Sequence, residues 1–186
     1  DGLGDACDEA DEAEEAAPRY GVVINEIHYN PQEGADLEFI ELYNSGAQAV
    51  DMSRWAFTGG IRHEFEQGTV IASGGFLVIC RNPLALGPEF GLVPSRLVLW
   101  VGSALNNGGE NIELIDATSA LVDAVRYDDD APWEMGADGG GGSLQRLCAL
   151  FESDNPSNWR GRADETPTPM AVNSTIQCPP PPRPSP

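Results

Sequence analysis

Short apolar segments rich in β-branched and aromatic residues recur along the middle of this chain, and turn residues separate them. The clearest segments are residues 20–29, 37–43, 75–80, 111–115 and 121–127. Turn signals come about every 8–12 residues, which is typical of a sandwich or barrel. No long stretch shows convincing helical periodicity, so the crossover helices that a parallel sheet needs are missing. The pattern predicts an all-β domain of about nine or ten short strands.

Three local patterns carry more detailed predictions. In the first segment, alternation places Val23, Ile27 and Tyr29 mostly on one face. Residues 97–101 are continuously apolar, which predicts a strand buried on both faces. Residues 116–119 separate two strands and predict a hairpin.

Composition divides the chain into three regions. Residues 1–19 are acidic and contain no aromatic residue, whereas residues 20–173 carry all the aromatics. Residues 174–186 end in CPPPPRPSP, which favours a stiff polyproline II spacer. We therefore expect one folded domain at 20–173, between an acidic N-terminal segment and a proline-rich C-terminal tail.

The charge balance restricts the partners. The net charge is −20, from 30 acidic residues and 10 basic ones, and every basic residue is an arginine. Such a field repels phosphate backbones and anionic membranes, and it attracts divalent cations. No apolar run approaches the ~20 residues of a membrane span. We expect neither a nucleic-acid partner nor membrane insertion.

The four cysteines are Cys7, Cys80, Cys148 and Cys178, and none forms a CxxC pair. This argues against a zinc or thioredoxin-type site. An even number in an acidic chain rich in glycine and proline indicates an oxidising, extracellular compartment. Because Cys80 and Cys148 each end a predicted strand, we expect a bridge between them, which leaves Cys7 for Cys178 or for an upstream segment. Buried free thiols are the alternative.

An ordered series of motifs runs through the predicted domain. It includes INEIHYNP at 24–31, EFIELYN at 38–44, NNGGENIEL at 106–114 and DNPSNW at 154–159. Further segments of the series lie at 50–55, 122–127, 131–133, 143–146 and 169–173. The series resembles the lamin tail domain in its bacterial form, with one departure at Met170, where the bacterial pattern usually has glycine.

This resemblance implies an immunoglobulin-like β-sandwich over residues 20–173, with Trp55 in the position of the core tryptophan and no known catalytic centre. In nuclear lamins the domain is an interaction surface, and in bacteria it is similar to an accessory module of secreted, multidomain proteins. We expect a secreted or cell-surface, non-catalytic module for adhesion, display or targeting, which binds another protein or a surface component. The alternatives are a targeting module of a secreted hydrolase, a carbohydrate-binding module, and a self-assembling subunit of a surface filament joined by edge strands.

The opening residues, DGLGDACD, resemble the closing half of a thrombospondin type-three repeat. In that family aspartate-rich loops hold calcium, so the resemblance implies Asp1, Asp5 and Asp8 as calcium ligands. The first half of the repeat is absent. We expect a partial calcium site and further domains upstream and downstream in a longer parent chain. The alternative is a solvated charge run.

A second acidic group lies inside the domain. Asp128 and Asp130 belong to a run of three aspartates, and Asp138 follows. Hard oxygen ligands on a loop between two strands predict a calcium site formed by these three residues. The alternative is a polar turn whose like charges face water.

Candidate catalytic groups are few. Glu26, Glu38 and Glu41 lie on adjacent predicted strands near His28, and paired carboxylates can act as acid and base. However, Glu38 and Glu41 point to opposite faces at a period of two. No Ser/His/Asp or Cys/His arrangement stands in a recognisable context, so we do not expect an enzyme.

Aromatic residues offer a candidate ligand surface. Phe90, Trp100 and Trp133 could form a platform on which sugars stack. Trp100 lies in an apolar segment and is expected in the core. Trp133 follows a proline in a loop, which makes it the better candidate for exposure and for ligand binding. The alternative is that these rings anchor the core and its loops.

Overall fold

The β-type segments pair into two sheets and a ribbon in the computed structural model, which describes residues 20–178. The six-stranded sheet contains, in spatial order, β12 (Trp159–Arg160), β11 (Leu144–Arg146), β1 (Val22–His28), β2 (Phe39–Asn44), β7 (Phe76–Cys80) and β8 (Val98–Leu99). The four-stranded sheet contains β10 (Leu121–Tyr127), β9 (Glu110–Ile115), β4 (Ala56–Gly59) and β5 (His63–Glu64). The ribbon pairs β3 (Val50–Asp51) with β6 (Val70–Ile71). The predicted all-β sandwich is confirmed.

Residues 50–57 contribute to two strands, β3 and β4, because Arg54 has a positive φ of 61° in the turn between them. One predicted strand differs from the structure. Residues 97–101 contain only the two-residue β8, and Leu99 and Val101 are exposed. The prediction that this segment is buried on both faces was wrong, because these alternate residues face solvent while Trp100 between them is buried. β8 is an edge strand of the sheet.

The described residues contain one α-helix, α1 (Pro83–Glu89), which is too short to give a periodic pattern in the sequence. The Asn82 side chain caps it by accepting hydrogen bonds from the N–H groups of Leu84 and Ala85. Four 3-10 helices occupy Ala35–Leu37, Pro94–Arg96, Met135–Ala137 and Pro156–Asn158. No helix in residues 20–178 is long and apolar enough to cross a membrane.

A β-bulge at Asn25 decides which residues of β1 face the core. Ile24 pairs with Leu42 and Glu26 pairs with Glu41, so Asn25 is an extra residue in the ladder. The core cluster takes from this segment Val22, Ile24, Ile27 and Tyr29. The bulge therefore shifts the alternation, which turns Glu26 away from the core.

The main core lies between the two sheets. Trp55 is buried in it, as predicted, and so is Trp100. Val23 is buried outside this cluster, so the prediction that it shares a face with Ile27 and Tyr29 was wrong. The large, fully buried side chains of this core include Tyr29, Tyr127, Phe57, Phe65 and Met52.

A second apolar layer covers the outer face of the six-stranded sheet. Its buried members are Leu37, Phe39, Val78, Cys80, Leu86 and Leu97, and Met170 packs against them. Met170 belongs to residues 166–178, which we call the C-terminal strap. The strap crosses this face of the sheet, and the Gln177 N–H donates to the Leu147 carbonyl oxygen at 2.9 Å. This face of the sheet is therefore covered by the chain itself.

The disulfide bond joins Cys148 to Cys178, with a Cα–Cα distance of 5.0 Å. The predicted bridge between Cys80 and Cys148 was wrong. Cys80 is a buried free thiol on β7, and burial raises its pKa to about 12. β7 lies three strands away from β11, which is roughly 14 Å, and a disulfide needs Cα atoms within about 7 Å. Cys7 lies outside the described residues.

Alkylation of the denatured protein checks this pairing. We expect Cys80 to react without reduction, whereas Cys148 and Cys178 react only after reduction. The C148A/C178A variant is expected to lose about 3–4 kcal/mol of unfolding free energy, as loop-closure entropy predicts for a 30-residue separation. C80A serves as the control, because it leaves the bond intact. A peptide in which Cys80 is linked to Cys148 would contradict the structure.

Candidate functional site

Three consecutive carboxylates come together where the chain leaves β10. One ligand oxygen each from Asp128, Asp129 and Asp130 lies within 4.8 Å of the others. The Asp130 N–H donates to Asp128 Oδ1 at 3.0 Å, and the Trp133 N–H donates to the Asp130 carbonyl oxygen at 3.1 Å. Calcium holds oxygen ligands at about 2.3–2.6 Å, so oxygens around one ion lie within roughly 5 Å of one another. The spacing in this loop has the right size for such an ion.

Asp138, another predicted ligand, lies outside this group of three carboxylates. It forms an isolated bridge with Asn30, whose Nδ2 donates to Asp138 Oδ1 at 2.6 Å. The neighbouring Tyr29 side chain is fully buried. Burial raises the pKa of the Tyr29 phenol, and the negative charges of Asp138, Asp129 and Asp128 raise it further. The structure therefore brings the predicted ligands of the second calcium site towards one buried hydroxyl group.

The predicted aromatic platform does not form. Trp133 is only 6% exposed, so the prediction of exposure was wrong. Its ring lies 6.2 Å from that of Trp159, within the main core. Phe90 is partly buried and packs on Phe39, in the outer layer. Trp133 anchors the acidic loop instead, because the apolar environment of the core stabilises its ring.

A pair of buried carboxylates occupies the two central strands of the six-stranded sheet. Glu26 on β1 is directly opposite Glu41 on β2, and both side chains are inaccessible to solvent. Burial raises the pKa of Glu26, and it raises the pKa of Glu41 even more, with the charge of Glu26 adding to the rise. The two groups together therefore hold at least one proton near neutral pH.

Two residues of the C-terminal strap, Thr168 and Met170, donate hydrogen bonds to this pair. Glu26 accepts hydrogen bonds from the Thr168 N–H at 2.8 Å, the Thr168 hydroxyl at 3.0 Å and the Ser143 hydroxyl at 2.5 Å. Glu41 accepts one from the Met170 N–H at 2.5 Å. These acceptors satisfy backbone donors that would otherwise be buried without partners. The two glutamates therefore fasten the strap to the sheet.

Buried amides extend the same attachment. Asn25 Nδ2 donates to Glu41 Oε1 at 2.8 Å and to Asn173 Oδ1 at 2.9 Å. Asn173 Nδ2 donates in turn to the Arg146 carbonyl oxygen at 2.7 Å. Gln145 Oε1 accepts the N–H of residue 174 at 2.8 Å. The strap is thus bonded to three neighbouring strands, β11, β1 and β2.

The remaining candidate catalytic residues are separated from this pair. Glu38 is buried elsewhere, where it accepts the Leu105 N–H at 2.9 Å. Burial lowers the pKa of His28 to about 4, so this imidazole is neutral at physiological pH. Its ring packs edge-on against Phe39 at 5.4 Å. Sequence reasoning missed the pairing of Glu26 with Glu41, because only the bulge at Asn25 sets that register.

An apolar groove of about 340 Å³ lies beside the disulfide bond. Its floor includes the stacked rings of Tyr43 and Phe76, 4.9 Å apart, and its rim includes the exposed side chains of Leu150, Val172 and Ile176. None of the described residues that line it is acidic. In a chain of net charge −20, an acid-free apolar surface of this kind is distinctive, and such surfaces mark contact sites.

Comparison with known proteins gives a family and a fold. The lamin tail domain model matches residues 15–129. A similar solved structure is that of a DUF4876 family protein from Bacteroides thetaiotaomicron VPI-5482, with a TM-score of 0.55 and 12% identity, covering 77% of this chain and 68% of that one. At this identity the likeness shows the fold alone. No curated protein matches the chain significantly in sequence.

Stability as a function of pH tests the protonated pair. Groups with a raised pKa in the folded state are more protonated when folded than when unfolded. The contribution of each glutamate to the free energy of unfolding is therefore fully present below pH 4.5, the ordinary pKa of a glutamate. It declines as the pH rises through about 7 for Glu26 and about 9 for Glu41. We expect roughly 1.4 kcal/mol lost per pH unit for each group in this window.

Urea unfolding across this pH range measures the effect. The E41Q variant is expected to lose most of one group's slope, because an amide does not titrate there. E33Q, at an exposed glutamate, is the matched control and should keep the wild-type slope. A wild-type slope in E41Q would show that Glu41 does not contribute to the pH dependence, and would contradict its retention of a proton in the folded protein.

Proposed function

Since the chain belongs to the lamin tail domain family, we propose that it is a non-catalytic interaction module of an extracellular or cell-surface protein. The observation that carries the proposal is the acid-free apolar groove between the strap and β2 and β7. We propose that its occupant is an uncharged, apolar segment of a partner protein. The surrounding charge of −20 disfavours acidic partners and nucleic acids, whereas the groove itself presents no carboxylate to an apolar chain.

The buried carboxylates support a structural role rather than a catalytic one. The carboxylate oxygens of Glu26 and Glu41 accept hydrogen bonds from the strap, and both side chains are inaccessible to solvent. A general acid or base must reach the proton that it transfers, within a hydrogen-bond distance of the substrate. The raised pKa values are therefore explained by burial in a structural clamp.

The disulfide bond supports an oxidising compartment for the module. Cys148 and Cys178 both line the groove, so the bond also fixes the position of one groove wall. Disulfides of this kind persist in extracellular and cell-surface proteins and are rare in reducing compartments.

The alternatives receive less support from the described residues. A sugar-stacking surface needs exposed rings, and Trp100 and Trp133 are buried. A filament joined through edge strands needs free backbone groups, and on the edge strand β10 the Arg126 N–H already donates to Asp154 Oδ1 at 2.7 Å.

We further propose that the acidic N-terminal segment is a calcium-associated link to the rest of a longer protein. Asp1, Asp5 and Asp8, the expected ligands, lie outside the described residues. The proposal for this segment rests on its resemblance to a thrombospondin type-three repeat and on the oxygen chemistry that calcium prefers.

Binding to intact cells of the organism that encodes the chain tests the groove. Val172 and Ile176 are 62% and 56% exposed, so V172E and I176E put charge into the groove without disturbing the core. We expect saturable binding of the fluorescently labelled wild type, and a loss of at least about tenfold in affinity for the double variant.

Matched control variants distinguish a loss of binding at the groove from a general effect of added negative charge. V101E and L121E change exposed aliphatic residues outside the groove, 79% and 56% exposed, and should bind like the wild type. Protease treatment of the cells should abolish binding. Loss of binding after periodate oxidation instead would favour the carbohydrate-binding alternative, and equal binding by all variants would contradict the groove.

A further inference from the structure

The Tyr29 hydroxyl group has no partner in the part of the chain that the structure describes. The side chain is fully buried, and its oxygen forms no hydrogen bond with residues 20–178. The ring of its neighbour Tyr127 lies 4.7 Å away in a tilted arrangement, but the Tyr127 hydroxyl donates to the Asn106 carbonyl oxygen at 2.8 Å. Buried hydroxyl groups are normally bonded to protein, ordered water or an ion. The Tyr29 oxygen therefore marks a position where a further group is expected.

Negative charge is concentrated around this position. Asp128, Asp129 and Asp130 bring one carboxylate oxygen each within 4.8 Å of one another. Asn30, the residue after Tyr29, donates a hydrogen bond to Asp138 at 2.6 Å. No arginine among the described residues forms an ion pair with any of these four carboxylates. Like charges held this close repel one another unless a cation or protons compensate them.

We propose that this loop is a calcium site within the sandwich, formed by Asp128, Asp129, Asp130 and Asp138, with the Tyr29 hydroxyl as its inner wall. The Tyr29 hydroxyl donates a hydrogen bond to an oxygen that coordinates the ion, either a carboxylate oxygen or a bound water. The ion would connect the loop after β10 to the end of β1. This site shares no residue with the groove or with the N-terminal segment, so its test is independent of the test of the proposed function.

The donor set distinguishes calcium from other cations. The three clustered carboxylates and Asp138 offer hard oxygens, and neither histidine nor cysteine belongs to the cluster, which disfavours zinc and copper. Calcium accepts six to eight oxygens in irregular geometry, whereas magnesium requires a near-ideal octahedron with shorter bonds. Three adjacent carboxylates on one loop suit the irregular arrangement. Two of them, Asp128 and Asp130, are exposed, so the ion can exchange with solvent.

Terbium luminescence tests the site in the full chain. Terbium(III) takes the same oxygen ligands as calcium, and its emission is sensitised by a nearby tyrosine. The D1N/D5N/D8N background removes the expected ligands of the N-terminal segment. In this background we expect saturable emission that calcium chloride displaces, and that magnesium chloride at the same concentration does not.

Three variants in that background decide the outcome. D129N is expected to weaken terbium and calcium binding by at least about tenfold, because it removes one carboxylate from the centre of the cluster. Y29F keeps the ring and is expected to weaken binding by about fivefold. D36N, at an exposed aspartate outside the cluster, should change affinity by less than about twofold.

Three results would overturn the proposal. The first is unchanged affinity in D129N, and the second is an equal loss in D129N and D36N, which would indicate general charge attraction. The third is loss of all emission in the D1N/D5N/D8N background, which would place the ion at the N-terminus. A calcium-dependent rise in melting temperature in the background, absent in D129N, would support the site by a second measurement.

Discussion

The structure depends on two buried glutamates that hold the C-terminal strap against the sheet. The bulge at Asn25 turns Glu26 to the outer face of β1, directly opposite Glu41 on β2. Burying ionised carboxylates costs several kcal/mol each, whereas hydrogen bonds to charged groups return about 1.5–3 kcal/mol apiece. The donors of Thr168, Ser143 and Met170, together with retention of a proton, offset that cost. Without the strap, the two carboxylates would lose hydrogen bonds that offset the cost of their burial.

The clamp also determines what the outer face presents to a partner. The strap closes the outer layer with Met170, and the bond between Cys148 and Cys178 ties its end to the segment that follows β11. The two cysteines line the apolar groove, together with Val172 and Ile176 of the strap. A surface that in many sandwiches would be polar is thus covered, and its remaining opening is apolar and free of acid. The proposed partner site is a consequence of how the strap is fastened.

Local pattern was sufficient to predict much of the fold. The alternating segments gave the all-β class, and the core position of Trp55 followed from the family resemblance. The rest depends on contacts between distant residues. No local signal marks the bulge at Asn25, which decides that Glu26 meets Glu41 rather than solvent. The order of strands in the sheet, which separates Cys80 from Cys148, is equally invisible in the sequence.

The candidate cation site contains residues that the local sequence predicts and one that only the packing reveals. The run of aspartates and Asp138 were visible in the sequence, because oxygen ligands on a loop have a recognisable composition. The proposed contribution of Tyr29 was not, since its ring meets Tyr127, the residue before the loop, only through the packing of the two sheets. Trp133 was misjudged for the same reason, because a tryptophan after a proline looks exposed until the core that holds it is known.

Hydrogen exchange at the amides of Thr168 and Met170 tests the central role of the glutamate clamp most directly. Both N–H groups lie in a segment without regular secondary structure, and their described acceptors are the two buried carboxylates. We predict that, after correction for intrinsic rates, their protection approaches that of the central strands and decreases as the pH rises. Exchange as fast as that of an exposed loop would contradict the clamp.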